Sequence, residues 1–254
     1  MLRTKVLKKP VLLQTETRLW GTHEGGWNID IPVPEALPVF PDLEKELPES
    51  VFSEKKAALI LPEIAFFPLK IQVEEHVKAR EMESFLKWNL KSRLPFPSED
   101  AWIRFTPIQN TASWLVFSLP GSWINETHLF FQERQVQLGY IGTIAGLFME
   151  SGIKSLERVM LAYHSYYIYL QMKSGKLTGF TIRKYPLAND SIQFAQFIGS
   201  DFELPSSPVP VLCFSESRMK EWERFISTHE NQVFTLMGDR QNAAHFLTAL
   251  GGRP

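Results

Sequence analysis

Arg158-Val159-Met160-Leu161-Ala162-Tyr163-His164-Ser165-Tyr166-Tyr167-Ile168-Tyr169-Leu170-Gln171-Met172-Lys173-Ser174-Gly175-Lys176-Leu177-Thr178-Gly179-Phe180-Thr181-Ile182-Arg183-Lys184-Tyr185 holds three strand-length runs in close succession. They cover 158–165, 166–172 and 177–185, and Lys173-Ser174-Gly175-Lys176 supplies the turn between the last two. The pattern then changes. Helical spacing over 190–198 is followed by an apolar strand at 209–214, a helix at 216–228, a strand at 232–236 and a closing helix at 241–250. Strands in hairpins that give way to strands alternating with helices describe a mixed α/β unit.

Upstream, residues 10–14 and 18–22 read as a hairpin with Gly25-Gly26 as a turn signal. Pro32, Pro34, Pro38, Pro41 and Pro48 make 31–48 an extended surface loop. Residues 57–61 form an apolar run of buried-strand length, and 68–73 form another strand. Over 74–90, Val77, Phe85, Leu86 and Leu90 fall at helical spacing, with acids first and Lys91 and Arg93 at the end; Pro95 and Pro97 stop the helix. Alternation predicts strands at 101–108 and 113–119, then a helix over 122–138 ending at Gly139, a short strand at 140–143 and a short helix at 145–151. The β-α-β-β-α-β order across 66–143 resembles a small split-βαβ unit. The remainder of the chain has the element order of a ribonuclease H-like half of an actin-like fold.

At 254 residues, 44% hydrophobic and 22% charged, the chain has the composition of a globular protein able to bury a core. A net charge of −1 gives no global field toward nucleic acid or an anionic bilayer. The lone Cys213, within Val211-Leu212-Cys213-Phe214, has no internal disulfide partner and reads as a buried strand thiol. Basic residues in 1–10 are not followed by an apolar stretch of signal length, because Gln14, Glu16 and Arg18 interrupt it. The most apolar stretch, 57–69, contains Pro62, Glu63 and Pro68 and is shorter than the about 20 residues a membrane helix needs. Membrane work therefore implies recruitment by a partner.

Motifs for chemistry are sparse. No Lys-Ser/Thr follows Gly25-Gly26, so it is a turn rather than a phosphate loop. His23, His76, His128, His164, His229 and His245 contain no pair at ligand spacing and no cysteine cluster accompanies them. There is no Gly-x-Ser-x-Gly elbow. Tyr163, Tyr166, Tyr167 and Tyr169 could stack on bases, but no basic stripe lies beside them, and sheet packing accounts for them better.

The stretch Glu83-Ser84-Phe85-Leu86-Lys87-Trp88-Asn89-Leu90-Lys91-Ser92-Arg93-Leu94-Pro95-Phe96-Pro97, with Ala101-Trp102-Ile103-Arg104-Phe105 after it, resembles a signature of the PilM family of type IV pilus assembly proteins. There a helix ends in an Ile-Pro-Phe/Tyr-Pro-like corner and leads into a strand of an inserted subdomain. The segment from Gly139-Tyr140-Ile141 to Leu147 and the ending Phe246-Leu247-Thr248-Ala249-Leu250-Gly251 fall where that family has its crossover and its final helix. The cytoplasmic part of type II secretion GspL proteins is similar to the same degree.

The resemblance implies an actin-like α/β fold of ribonuclease H-like subdomains. Residues 1–65 open the first, 66–143 form the inserted β-α-β-β-α-β subdomain, and 144–254 return to the first and add the second. It implies a non-catalytic cytoplasmic scaffold, peripheral at the inner membrane, in a type IV pilus or type II secretion platform. The implied partners are a PilN-like or GspL/GspM-type inner-membrane protein and a cytoplasmic motor ATPase, with no nucleic acid and no insertion of this chain into the bilayer. The groove between the inserted and first subdomains would hold the membrane partner's peptide, with Trp88, Phe96, Trp102 and Arg104 as partner-binding residues, since Trp and Arg are frequent interface anchors.

No cofactor is expected, because the phosphate-binding loops of active relatives are replaced. Leu13-Gln14-Thr15-Glu16-Thr17-Arg18 lacks glycine where an Asp-Ile-Gly run would lie, Leu161-Ala162-Tyr163-His164-Ser165-Tyr166-Tyr167 puts aromatics at the second loop, and Ser215-Glu216-Ser217 replaces an adenosine-contacting Gly-Gly. The alternative is a divergent actin-like ATPase or sugar-kinase-like enzyme that still binds ATP, for which Glu16 and Glu63 are the candidate metal-holding acids.

Overall fold

The computed structural model describes residues 11–23, 26–33, 37–52, 55–74, 77–151, 157–185, 191–201, 208–228 and 234–237. The chain forms two compact units, Met1–Glu150 and Ser151–Pro254. The helix expected over 241–250, the basic residues of 1–10 and the Gly25 half of the first turn signal lie outside the described residues.

In the first unit, β1 (Val11–Gln14), β2 (Arg18–His23) and β3 (Gly26–Pro32) form an antiparallel meander. β4 (Lys56–Leu61) runs parallel to β1, and β8 (Gln137–Thr143) runs parallel to β4, giving the order β3-β2-β1-β4-β8. Ala57 to Leu61 are buried to the last residue, which is why β4 reads as a continuous apolar run and sits in the sheet interior. Leu59, Ile60 and Leu61 each contribute about 1.5–3 kcal/mol on burial.

Between β4 and β8 the chain builds a second sheet from β5 (Leu69–Gln72), β6 (Ala101–Pro107) and β7 (Ser113–Pro120), all antiparallel, in the order β5-β7-β6. Helix α2 (Met82–Leu90) covers one face of it, burying Met82, Leu86 and Leu90 against Ile71, Val73 and Val116. The expected β-α-β-β-α-β order is present, with its last strand, β8, hydrogen-bonded into the first sheet beside β4 rather than into the small one.

Helix α3 (Gly121–Glu133) ends earlier than Gly139 suggested. Gln135 takes a left-handed φ of 61°. Its N–H donates to Gln132 O (2.9 Å), and the Val136 N–H reaches back to Phe131 O (2.9 Å), the Schellman arrangement formed here without glycine. The proline-rich segment is not free surface loop. Its one-turn helix α1 (Phe40–Leu43) packs Phe40 on Phe130 and Phe131 of α3 (ring centroids 5.7 and 5.0 Å apart), and Trp123 Nε1 donates to Pro38 O at 3.0 Å. Pro41 sits in the first turn of α1, where its missing N–H costs nothing, and the aromatics fasten the segment down.

The second unit repeats the plan of the first sheet. β9 (Arg158–Ala162), β10 (Tyr166–Lys173) and β11 (Lys176–Lys184) form an antiparallel meander, β12 (Val209–Cys213) runs parallel to β9, and β13 (Phe234–Met237) runs parallel to β12, giving β11-β10-β9-β12-β13. Ser174 (φ 53°) and Gly175 (φ 76°) make the two-residue turn expected between β10 and β11, and a turn with both φ positive matches the strand twist there. Helices α5 (Ser191–Asp201) and α6 (Glu216–Thr228) bury Phe194, Trp222 and Phe225 with Tyr167, Val211 and Phe234. Cys213 lies in this core, and burial pushes its thiol well above the ordinary range. It should stay unlabelled by a thiol reagent in the native protein and react at one equivalent in denaturant; rapid native labelling would contradict this packing.

Candidate functional site: a cleft beside the small sheet

Positions where nucleotide loops would lie are closed by their own contacts. Between β1 and β2, the Thr15 N–H donates to Arg18 O at 2.8 Å and the Arg18 N–H to Thr15 Oγ1 at 3.2 Å, so both amides are used within the turn. Between β9 and β10, the Tyr163 N–H donates to Tyr166 O (3.0 Å), and the two rings stack at 4.5 Å, with Phe214 stacked on Tyr163 at 4.8 Å. Tyr163, Tyr166, Tyr167 and Tyr169 are all buried, so none offers a face to a base. Ser215 Oγ accepts the Arg218 N–H (3.3 Å) and caps α6.

A buried cation stands behind the second turn. Arg218 is fully buried; Nε donates to Tyr163 O (3.0 Å), Nη1 to Glu221 Oε2 (2.6 Å) and Nη2 to Tyr185 O. The Tyr167 hydroxyl donates to the same Glu221 oxygen at 2.7 Å, and the guanidinium lies 4.7 Å from the Tyr167 ring centroid. Of the acids considered for metal binding, Glu63 is buried and its Oε1 accepts the Ala145 N–H (2.8 Å) in the first turn of α4 (Ile144–Ser151), a helix-capping role; Glu16 sits half-buried in the β1–β2 turn. Among the described residues no group of three or more His, Cys, Asp or Glu is placed to hold a metal.

A cavity of about 170 Å³ lies between the small sheet and the β8–α4 crossover. Phe66 and Phe117 line it on one side, Tyr140, Thr143, Met149 and Glu150 on the other. Consecutive strand residues point to opposite faces, yet Arg104, Phe105 and Thr106 of β6 all border the cavity, as do Gly142 and Thr143 of β8. Both strands therefore present a backbone edge to it, and both are the outer strands of their sheets.

Arg104 spans this cleft. Its Nη1 donates to Glu150 Oε1 at 2.7 Å, and its guanidinium lies 5.2 Å from the Trp102 ring centroid and 4.7 Å from that of Tyr140. Burial pushes the Glu150 carboxyl upward, and Arg104 pulls it back. The Tyr140 hydroxyl is buried at the cavity wall beside the Arg104 guanidinium and donates to no acceptor among the described residues, and burial raises its pKa. Its ring lies across a backbone without side chains: a Cβ on Gly142 would fall within 2.6 Å of Tyr140 Cε1.

The four expected partner-binding residues separate into three places. Trp102 and Arg104 stand on the cleft face of β6. Trp88 is 72% exposed on α2, which covers the opposite face through Ile103 and Phe105. Phe96 is half-buried in the Pro95-Phe96-Pro97 corner, edge-on to Phe67 at 5.5 Å. Tyr140, Glu150, Phe66 and Phe117 carry no motif that singles them out. The available signal is an aromatic followed at the second and sixth positions by Gly142 and Gly146, the mark of a ring laid on backbone.

No protein-family model and no curated protein matches the chain. Solved structures do. A PilM–PilN type IV pilus biogenesis complex matches with a TM-score of 0.62 at 11% identity, covering 96% of both chains. The cytoplasmic domain of EpsL, an inner-membrane component of the type II secretion system of Vibrio cholerae, matches with a TM-score of 0.56 at 12% identity, covering 96% of this chain and 95% of that one. A Bacteroides thetaiotaomicron protein with an actin-like ATPase fold matches with a TM-score of 0.56 at 12% identity over all of both chains. Two five-stranded sheets of one plan, 3-2-1-4-5 with a three-strand meander and two parallel strands, together with these whole-chain likenesses, give the chain the actin-like fold of type IV pilus and type II secretion assembly components.

Proposed function

We propose that the protein is a non-catalytic scaffold of a type IV pilus or type II secretion inner-membrane platform. It holds a PilN-like or GspL/GspM-type membrane partner on one side and a cytoplasmic motor ATPase on the other, and resides in the cytoplasm, peripheral to the inner membrane. The observation that carries this reading is the likeness over nearly the full length of both chains to a protein solved in complex with PilN and to the cytoplasmic domain of an inner-membrane secretion component. The closed turns at Thr15–Arg18 and Tyr163–Tyr166 support a role without nucleotide. No described helix is long and apolar enough to cross a membrane, which fits recruitment by a partner.

The cleft suits a peptide better than a nucleotide. Its volume of about 170 Å³ is below the roughly 300–1,000 Å³ of small-molecule sites, while free strand edges are peptide-binding elements. Co-expression with the PilN-like membrane protein of the same organism tests the proposal. The tagged chain should retain that protein on a column, lose it with Arg104→Glu, and keep it with Trp88→Ala. Failure to retain it in the unmodified chain would remove the scaffold reading as stated.

A further inference from the structure

The chemistry of the cleft narrows what it can accept. Two strand edges, β6 and β8, border it with backbone groups outside either ladder, which favour a chain in extended conformation running along one of them. The interior is divided: Phe66, Phe117 and Met149 are apolar, whereas Arg104 and the Tyr140 hydroxyl are hydrogen-bond donors. Tyr140 is more than nine-tenths buried and its hydroxyl donates to no acceptor among the described residues, so an acceptor entering there gains a bond that the empty cleft does not make. The Arg104 guanidinium lies near the rings of both Trp102 and Tyr140, and its charged contact across the cleft is Glu150 at 2.7 Å. The Glu150 side chain is 43% exposed and that of Arg104 37%, so the pair stands at the mouth rather than sealed in the core.

We propose that the cleft binds an extended peptide strand carrying an acidic side chain, whose carboxylate displaces Glu150 from Arg104 and accepts the Tyr140 hydroxyl, while a neighbouring apolar side chain fills the Phe66–Phe117–Met149 pocket. Glu150 is then an internal stand-in for the ligand: it keeps Arg104 paired and oriented when the cleft is empty. Specificity arises from the cost of leaving a donor unmatched, since a peptide with no acid would leave Arg104 on Glu150 and cover the Tyr140 hydroxyl without giving it an acceptor. The proposal deepens the scaffold reading and rests on it.

The test uses the full chain immobilised and panned with a phage-displayed heptapeptide library, followed by polarisation titration of the enriched peptides as synthetic fluorescein conjugates. Enriched sequences should place Asp or Glu next to apolar residues. Their affinity should fall about tenfold or more on Arg104→Met and on replacing the peptide's acid by its amide, and rise about tenfold with Glu150→Gln, which removes the competing carboxylate. Enrichment of sequences without an acid, no enrichment at all, or affinities unmoved by Arg104→Met or lowered by Glu150→Gln would overturn it. Glu150→Gln keeps the conclusion testable if Arg104→Met does not fold. The two readings fail separately: retention of the membrane partner without acid-dependent peptides sinks only this proposal, and acid-dependent peptides without retention of that partner sink the scaffold assignment.

Discussion

Replacing Arg218 by alanine is expected to destabilise the second unit by about 3–5 kcal/mol, because it deletes the cation facing a buried carboxylate. The guanidinium bonds two backbone carbonyls, Tyr163 O and Tyr185 O, and Glu221, and stacks near Tyr167. These partners lie on three elements, the β9–β10 turn, the end of β11 and α6 itself. One side chain thus ties the β9–β10 turn to the helix after β12. Hydrogen exchange over 158–228 should show the loss directly, with protection in that segment falling by the same free energy. A shift under about 1 kcal/mol, the scale of an ordinary surface ion pair, would mean that the network does not carry the turn. Arg218→Met combined with Glu221→Leu should recover part of the loss, since an apolar pair of similar size avoids the uncompensated charge.

Gly142→Val is the second large effect, expected to cost about 1–3 kcal/mol through overpacking. The first added carbon alone would overlap the Tyr140 ring, with Cζ at 2.5 Å and Cε1 at 2.6 Å. Because β8 is fixed by its ladder to β4, the ring must move, and the cavity is the open space beside it. The variant should therefore lose partner retention as well as thermal stability, and a Tyr140→Ala companion change should restore stability more than binding. Unchanged melting in Gly142→Val would show that the close approach is not a constraint on the native state.

Much of this architecture is legible in the sequence. Strands β4, β6, β7 and β9 to β12, the 173–176 turn and helix α6 emerge from periodicity and turn chemistry, because each buries one face or both in a regular repeat. The departures have specific causes. Helix α3 stops at Glu133 because Gln135 accepts a left-handed φ that the glycine rule assigns to Gly139, and Gly139 instead lies within β8. The proline-rich segment hides its anchoring, which depends on Phe40 meeting Phe130 and Phe131 some 90 positions away. Strand β3 carries a local signal, Trp27, Ile29 and Ile31 alternating with Asn28 and Asp30, that the prolines from Pro32 onward overshadow. The resemblance points to Arg104 and Trp102, but Glu150 and Tyr140 reach them only through the pairing of β8 with β4, a long-range contact that no local pattern encodes. Trp88 belongs to the same motif, and its place across the small sheet is set by strand parity once α2 is seated on Ile103 and Phe105.

The proposed scaffold would work without nucleotide. Calorimetric titration of the purified chain with ATP and magnesium tests this most directly. The closed turns at Thr15–Arg18 and the Tyr163–Tyr166–Phe214 stack predict no binding heat at millimolar nucleotide. Saturable binding at micromolar strength, about −8 kcal/mol, would contradict the scaffold reading and return the chain to the nucleotide-binding members of its fold.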